Sequence, residues 1–116
     1  MFPKFSRPNH SNIWTGIWTL GNYSADLIAT NAVNNVFDIH HVVISDPDAN
    51  EDYDLVLYGD DVDIAHIPFT RSNNFVNSIQ VDCQTPLLDA GTRVRAKLAD
   101  GTGEATCKVK VIYHEY

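Results

Sequence analysis

Short apolar runs separated by turn-forming clusters dominate the chain. "IWTGIWTL" (13–20), "ADLIAT" (25–30), "VFDIHHVVIS" (36–45), "YDLVLYG" (53–59), "FVNSIQVDC" (75–83), "TRVRAKLA" (92–99) and "ATCKVKVIYHEY" (105–116) are rich in β-branched and aromatic residues. Between them lie "GNYS", "NAVNN", "DPDANED", "RSNN", "LLDAG" and "DGTG", the residue types that turns select. "RVRAKL" alternates strictly: Arg93, Arg95 and Lys97 share one face, and Val94, Ala96 and Leu98 share the other. That is the pattern of a half-buried antiparallel strand. "CKVKVIY" repeats it with Lys108 and Lys110 outward. An apolar period of 3.6 residues never persists for three turns, and only "DDVDIAHIPF" has room for one helical turn before Pro68.

These elements predict an all-β protein of seven or eight strands: a single-domain antiparallel β-sandwich, jelly-roll-like, over residues 13–116. The link "DVDIAHIPFTRSNN" suits a crossover between sheets. Residues 1–12, with two prolines and two isolated phenylalanines, read as an extended N-terminal arm. In such an arm Phe2 and Phe5 would enter apolar pockets on a neighbour, and Lys4 and Arg7 would meet its acidic groups. A disordered segment is the alternative. At 116 residues the chain fits one domain with one core.

Charge sharpens this picture. Residues 8–70 contain ten carboxylates and neither lysine nor arginine, while the whole chain carries −7. Nucleic-acid binding requires clustered cations that release counterions, so no nucleic-acid partner is expected, and a protein partner with a basic face fits better. No apolar run approaches the ~20 residues of a membrane span, so no membrane partner is expected either. The first ten residues lack the apolar core of a signal peptide, and Sec-type export is not expected. Cys83 and Cys107 read as buried free thiols, with a disulfide between them as the alternative.

Candidate chemistry concentrates in residues 40–63, where eight carboxylates follow two adjacent histidines. Asp46, Asp48 and Asn50 occupy the first three ligand positions of a calcium loop, but Glu51 stands where the loop needs glycine and Leu57 where it needs its closing glutamate. No metal and no cofactor are therefore expected, with an irregular calcium site on Asp46, Asp48 and Asn50 as the weaker alternative. In a regular strand His40 and His41 point to opposite faces and cannot chelate one ion together. His66 with Asp60, Asp61 and Asp63 forms an acid/base grouping without a nucleophile motif, so no catalytic residue is assigned and the protein is read as a non-enzyme. Trp14 and Trp18, four apart in a strand, share a face: they are core or sheet-edge packing, or a platform on which sugar rings stack.

The order of segments supplies a resemblance. Tyr23, Ser24, Asp26 and Ile28, then Val43 and Asp46, then Asp54, Leu55, Leu57 and Tyr58, followed by a late pair of strands, resemble the plan of small bacteriophage structural proteins over residues 18–116. The resemblance implies a β-sandwich virion component, assembled in the host cytoplasm: a capsid decoration or cement protein, or an accessory of the neck or tail. Its implied partners are the major capsid protein and neighbouring copies of itself in a dimer or trimer. A receptor- or glycan-binding virion module of tail, fibre or knob is the second expectation.

Overall fold

The computed structural model describes residues 7–10, 14–19, 22–45, 47, 52–71, 78–99 and 104–116; for 7–10, 14–19, 99 and 104–106 it describes the backbone alone. Eight strands form: β1 (Arg7–His10), β2 (Trp14–Thr19), β3 (Phe37–Ser45), β4 (Asp52–Gly59), β5 (Val62–Thr70), β6 (Ser78–Asp82), β7 (Val94–Ala99) and β8 (Glu104–Glu115). Among the described residues there is no helix, and so none long and apolar enough to cross a membrane.

The strands make two antiparallel sheets. In the five-stranded sheet the order is β1-β8-β3-β6, with β2 pairing with β8 as well; in the three-stranded sheet it is β5-β4-β7. β1 takes the end of β8 (Arg7 opposite Glu115) and β2 takes its start (Trp14 opposite Val109), so the two share one edge. Apart from the β4–β5 hairpin, every connection from β3 onward passes between sheets.

One apolar cluster joins the two sheets. Phe37, Ile39, Val42 and Ile44 of β3 with Val109 and Val111 of β8 meet Tyr53, Leu55 and Leu57 of β4, Ile67 and Phe69 of β5, and Val94, Ala96 and Leu98 of β7. The alternation read in "RVRAKL" and "CKVKVIY" holds: Val94, Ala96, Leu98, Cys107, Val109 and Val111 are buried, while Arg93, Arg95, Lys97, Lys108 and Lys110 remain at least partly exposed. Burying a Leu, Ile, Val or Phe side chain contributes about 1.5–3 kcal/mol, so this cluster is the main source of the sheets' association.

Three local expectations change. Residues 62–70 form an edge strand rather than a helical turn within a crossover link. Pro68 is tolerated there because one side of an edge strand needs no ladder donor. Residues 25–30 are not a strand; they meet β7 at an isolated bridge between Ile28 and Val94 and a hydrogen bond from Leu27 N–H to the Val94 carbonyl. Within the 1–12 segment, residues 7–10 are paired as β1, so the backbone of Arg7 belongs to the sheet; Phe2, Lys4 and Phe5 lie outside the described residues.

Candidate functional site

A bulge in β3 brings several titratable side chains together. The pairing of β3 with β8 shifts between Ile39 and His41, leaving His40 as the extra residue. A bulge inserts one residue and changes the phase of the strand. Phe37 and Ile39 face the core before it, Val42 and Ile44 face the core after it, and both histidines fall on the outer side, half exposed. The expectation that His40 and His41 point to opposite faces is thus overturned, because it assumed a regular pleat. Their ring centroids lie 6.4 Å apart.

Each histidine has different surroundings. His40 stacks on His114 of β8, with centroids 4.4 Å apart and planes inclined by 18°. Its Nε2 is 2.9 Å from Asp38 Oδ1 but lacks the alignment of a hydrogen bond and has no other partner. Asp38 is buried on the outer side of the sheet, where the Tyr116 hydroxyl donates to it at 3.2 Å and Gln84 Nε2 donates at 3.4 Å. His41 Nδ1 is 2.8 Å from Asp82 Oδ1 on neighbouring β6. Cys83 follows Asp82; burial, reinforced by the Asp82 charge, pushes its thiol up to about 11. The neutral thiol is a poor nucleophile. The Thr85 hydroxyl is also committed, accepting from Ile39 N–H at 3.0 Å and donating to the Pro86 carbonyl. Neither the Cys83 thiol nor the Thr85 hydroxyl is thus activated as a nucleophile.

The acidic stretch is divided among separate tasks. Asp60 and Asp61 occupy the β4–β5 hairpin with φ of 46° and 67°, the left-handed pair of a two-residue turn. Asp60 exchanges hydrogen bonds with the Arg93 backbone, donating through its N–H at 2.9 Å and accepting at Oδ1 at 3.0 Å. Asp61 hydrogen-bonds Arg95 and approaches Arg93 at 3.4 Å. The Arg95 hydrogen bond holds the Asp61 carboxyl below the ordinary aspartate value, with the Arg93 charge acting in the same direction. Arg95 also lies 3.8 Å over the ring of Tyr23, and Lys97 lies 4.5 Å from the same ring centroid. Tyr58 meets Tyr23 edge-on at 5.2 Å. The basic row of β7 is thus occupied by the protein's own carboxylate and aromatic rings.

The grouping of His66 with Asp60, Asp61 and Asp63 is brought together only in part. His66 Nε2 lies 2.5 Å from Asp63 Oδ2 because a second bulge, at Ile64, puts residues 63 and 66 on one side. Asp60 and Asp61 turn instead to β7. Asp46, Asp48 and Asn50 lie outside the described residues, as do the side chains of Trp14 and Trp18. Among the described residues no three side chains form a group able to hold a metal ion. Cys83 and Cys107 are free thiols.

Sequence reasoning passed over Asp38, His114 and Tyr116, which meet only because β8 runs beside β3. Comparison with protein-family models, curated proteins and solved structures returns no match.

Proposed function

We propose that the chain is a non-enzymatic bacteriophage structural protein, a capsid decoration or cement protein mounted on the head exterior, with a jelly-roll sandwich as its fold. The observation that carries this reading is strand order. What supports it is that the row β2-β8-β3-β6 beside the row β7-β4-β5, with successive crossings between sheets, follows the order expected of a jelly roll if one strand of eight were reduced to the bridge between Ile28 and Val94. Jelly rolls recur in viral capsid proteins and in lectins. The resemblance carried by Tyr23, Ser24, Asp26 and Ile28 favours the virion. These residues sit where that strand would lie: Ser24 and Leu27 N–H groups donate to the Ala96 and Val94 carbonyls.

Electrostatics favours the exterior. The chain carries −7, with ten carboxylates and no lysine or arginine in residues 8–70, a balance unsuited to facing packaged DNA. A cement protein acts by burying surface across adjacent capsomers, and mass action then stabilises the assembled shell. Its partners on this reading are the major capsid protein and further copies of itself, as a dimer or trimer matching the lattice symmetry.

Copies per purified particle, counted by quantitative mass spectrometry, test the reading. Hundreds are expected for a cement protein, and particles lacking it should rupture at lower temperature or milder osmotic shock. A few copies per particle, with unchanged head stability and lost adsorption, would overturn it in favour of a receptor- or glycan-binding module.

A further inference from the structure

Lys108 and Lys110 project from β8 on the outer face of the five-stranded sheet, two residues apart on one side. The register carries the row across three strands: Lys108 is opposite Ser45 of β3, and Ser45 is opposite Ser78 of β6. Lys110 is opposite Val43 in the same way. Side chains directly opposite in antiparallel strands have Cβ atoms about 4.5–5.5 Å apart, so the five groups converge on one place. They line a cleft of about 230 Å³ with Val43 as its apolar floor.

The chemistry of that lining is one-sided. Every polar side chain in it can donate: two ammonium groups and two hydroxyls. Lys108 has a further interaction of its own, but among the described residues Lys110 makes no ion pair and the hydroxyls of Ser45 and Ser78 have no hydrogen-bond partner. This contrasts with Arg93 and Arg95 on the other sheet, which Asp61 neutralises. Among the described residues no carboxylate or aromatic ring lines the cleft, and its only side-chain acceptors are the two serine hydroxyls.

We propose that this cleft is an oxyanion site, taking a sulfate, phosphate or carboxylate group carried by a ligand. Ammonium and hydroxyl donors directed at one anion give charge-assisted hydrogen bonds, about twice as strong as neutral ones. The cleft is smaller than the ~300–1,000 Å³ of sites that enclose a whole drug-sized molecule. It therefore holds the charged group and leaves the rest of the ligand on the sheet surface. The site stands independently of whether the protein decorates a head or a fibre.

The test is a titration of the ¹⁵N-labelled full chain with sodium sulfate, sodium phosphate and sodium acetate, each at an ionic strength held constant with sodium chloride. Saturable shifts are expected at the amides of Ser45, Ser78, Lys108 and Lys110, with millimolar affinity for at least one salt. The salt that binds tightest identifies the charged group. The double variant Lys108→Gln/Lys110→Gln, folded by its amide spectrum, should bind at least about fivefold more weakly, while Lys97→Gln on the other sheet should bind as the parent does. No saturable shift with any of the three salts, or saturation retained in the double variant, would overturn the proposal.

Discussion

Asp61 shows how a turn residue becomes an electrostatic one. Aspartate tolerates the left-handed backbone of a tight hairpin, although the apolar pattern assigned the "DD" pair to a helical turn within a crossover link rather than to a two-residue turn. Its cations are not legible, since Arg93 and Arg95 lie 32 and 34 residues away and meet it only when β7 pairs with β4. The carboxyl is held below its ordinary value near 3.8, so folding favours the ionised form. Such a group contributes stability that is present above the unfolded value and lost as pH falls through the folded one. Asp61→Asn should therefore lower the urea midpoint at pH 7 slightly and reduce the difference in midpoint between pH 5 and pH 2. Parallel denaturation curves of parent and variant across that range provide the check; an unchanged acid limb would show that the pair contributes nothing.

Cys83 titrates in the opposite sense. Its raised value favours the neutral thiol in the fold, a contribution present below the unfolded value near 9 and lost as pH rises toward about 11. Native protein at pH 7 should be alkylated slowly by iodoacetamide. Denatured protein should yield two reactive thiols per chain, because Cys107 is buried and neither cysteine is bridged. Rapid loss of a thiol from the native chain would contradict the protection assigned to Cys83.

At the scale of elements, strands with an unbroken pleat were legible and bulged ones were not. β7 and β8 alternate cleanly, and their inward residues were readable two by two. In β5 the bulge at Ile64 leaves Ile64 and Ile67 three apart on the apolar side, a spacing that mimics one turn of helix. In β3 the bulge at His40 moves His41 outward, a change of phase that two adjacent histidines do not announce. Residues 25–30 fail as a strand for a further reason: just before them the Ser24 side chain replaces part of the ladder. Ser24 N–H donates to the Ala96 carbonyl at 2.7 Å, and its hydroxyl accepts from the buried Ala96 N–H at 3.0 Å. A buried donor left unpaired costs about 1–3 kcal/mol. Ser24→Ala should destabilise the fold by that amount in chemical denaturation and speed hydrogen exchange at the Ala96 amide. Ser24→Thr, which keeps the hydroxyl, should retain the protection of that amide.

For the whole molecule, the decisive relations are non-local. The five-stranded sheet places β1 and β2, from the start of the chain, on the edge of β8, from its end. The sequence marks these segments as extended but contains no signal for which edge they join. That edge also redefines the arm. A boundary at residue 12 cuts through pairing already made, since Arg7, Pro8, Asn9 and His10 lie opposite Glu115, His114, Tyr113 and Ile112. Two truncations separate attachment from folding. Removing residues 1–6 deletes Phe2, Lys4 and Phe5 and leaves β1 in place; if these residues hold the neighbouring subunit, particle occupancy should fall while the melting midpoint stays put. Removing residues 1–12 also strips β1 from β8, and each ladder hydrogen bond lost there costs about 0.5–1.5 kcal/mol. The longer truncation should therefore lower the midpoint as well as the occupancy. Undiminished occupancy in the 1–6 truncation would refute the arm as the attachment device. Equal midpoints for both truncations would show instead that β1 contributes no stability to the sheet, and the paired edge of β8 would then begin at β2.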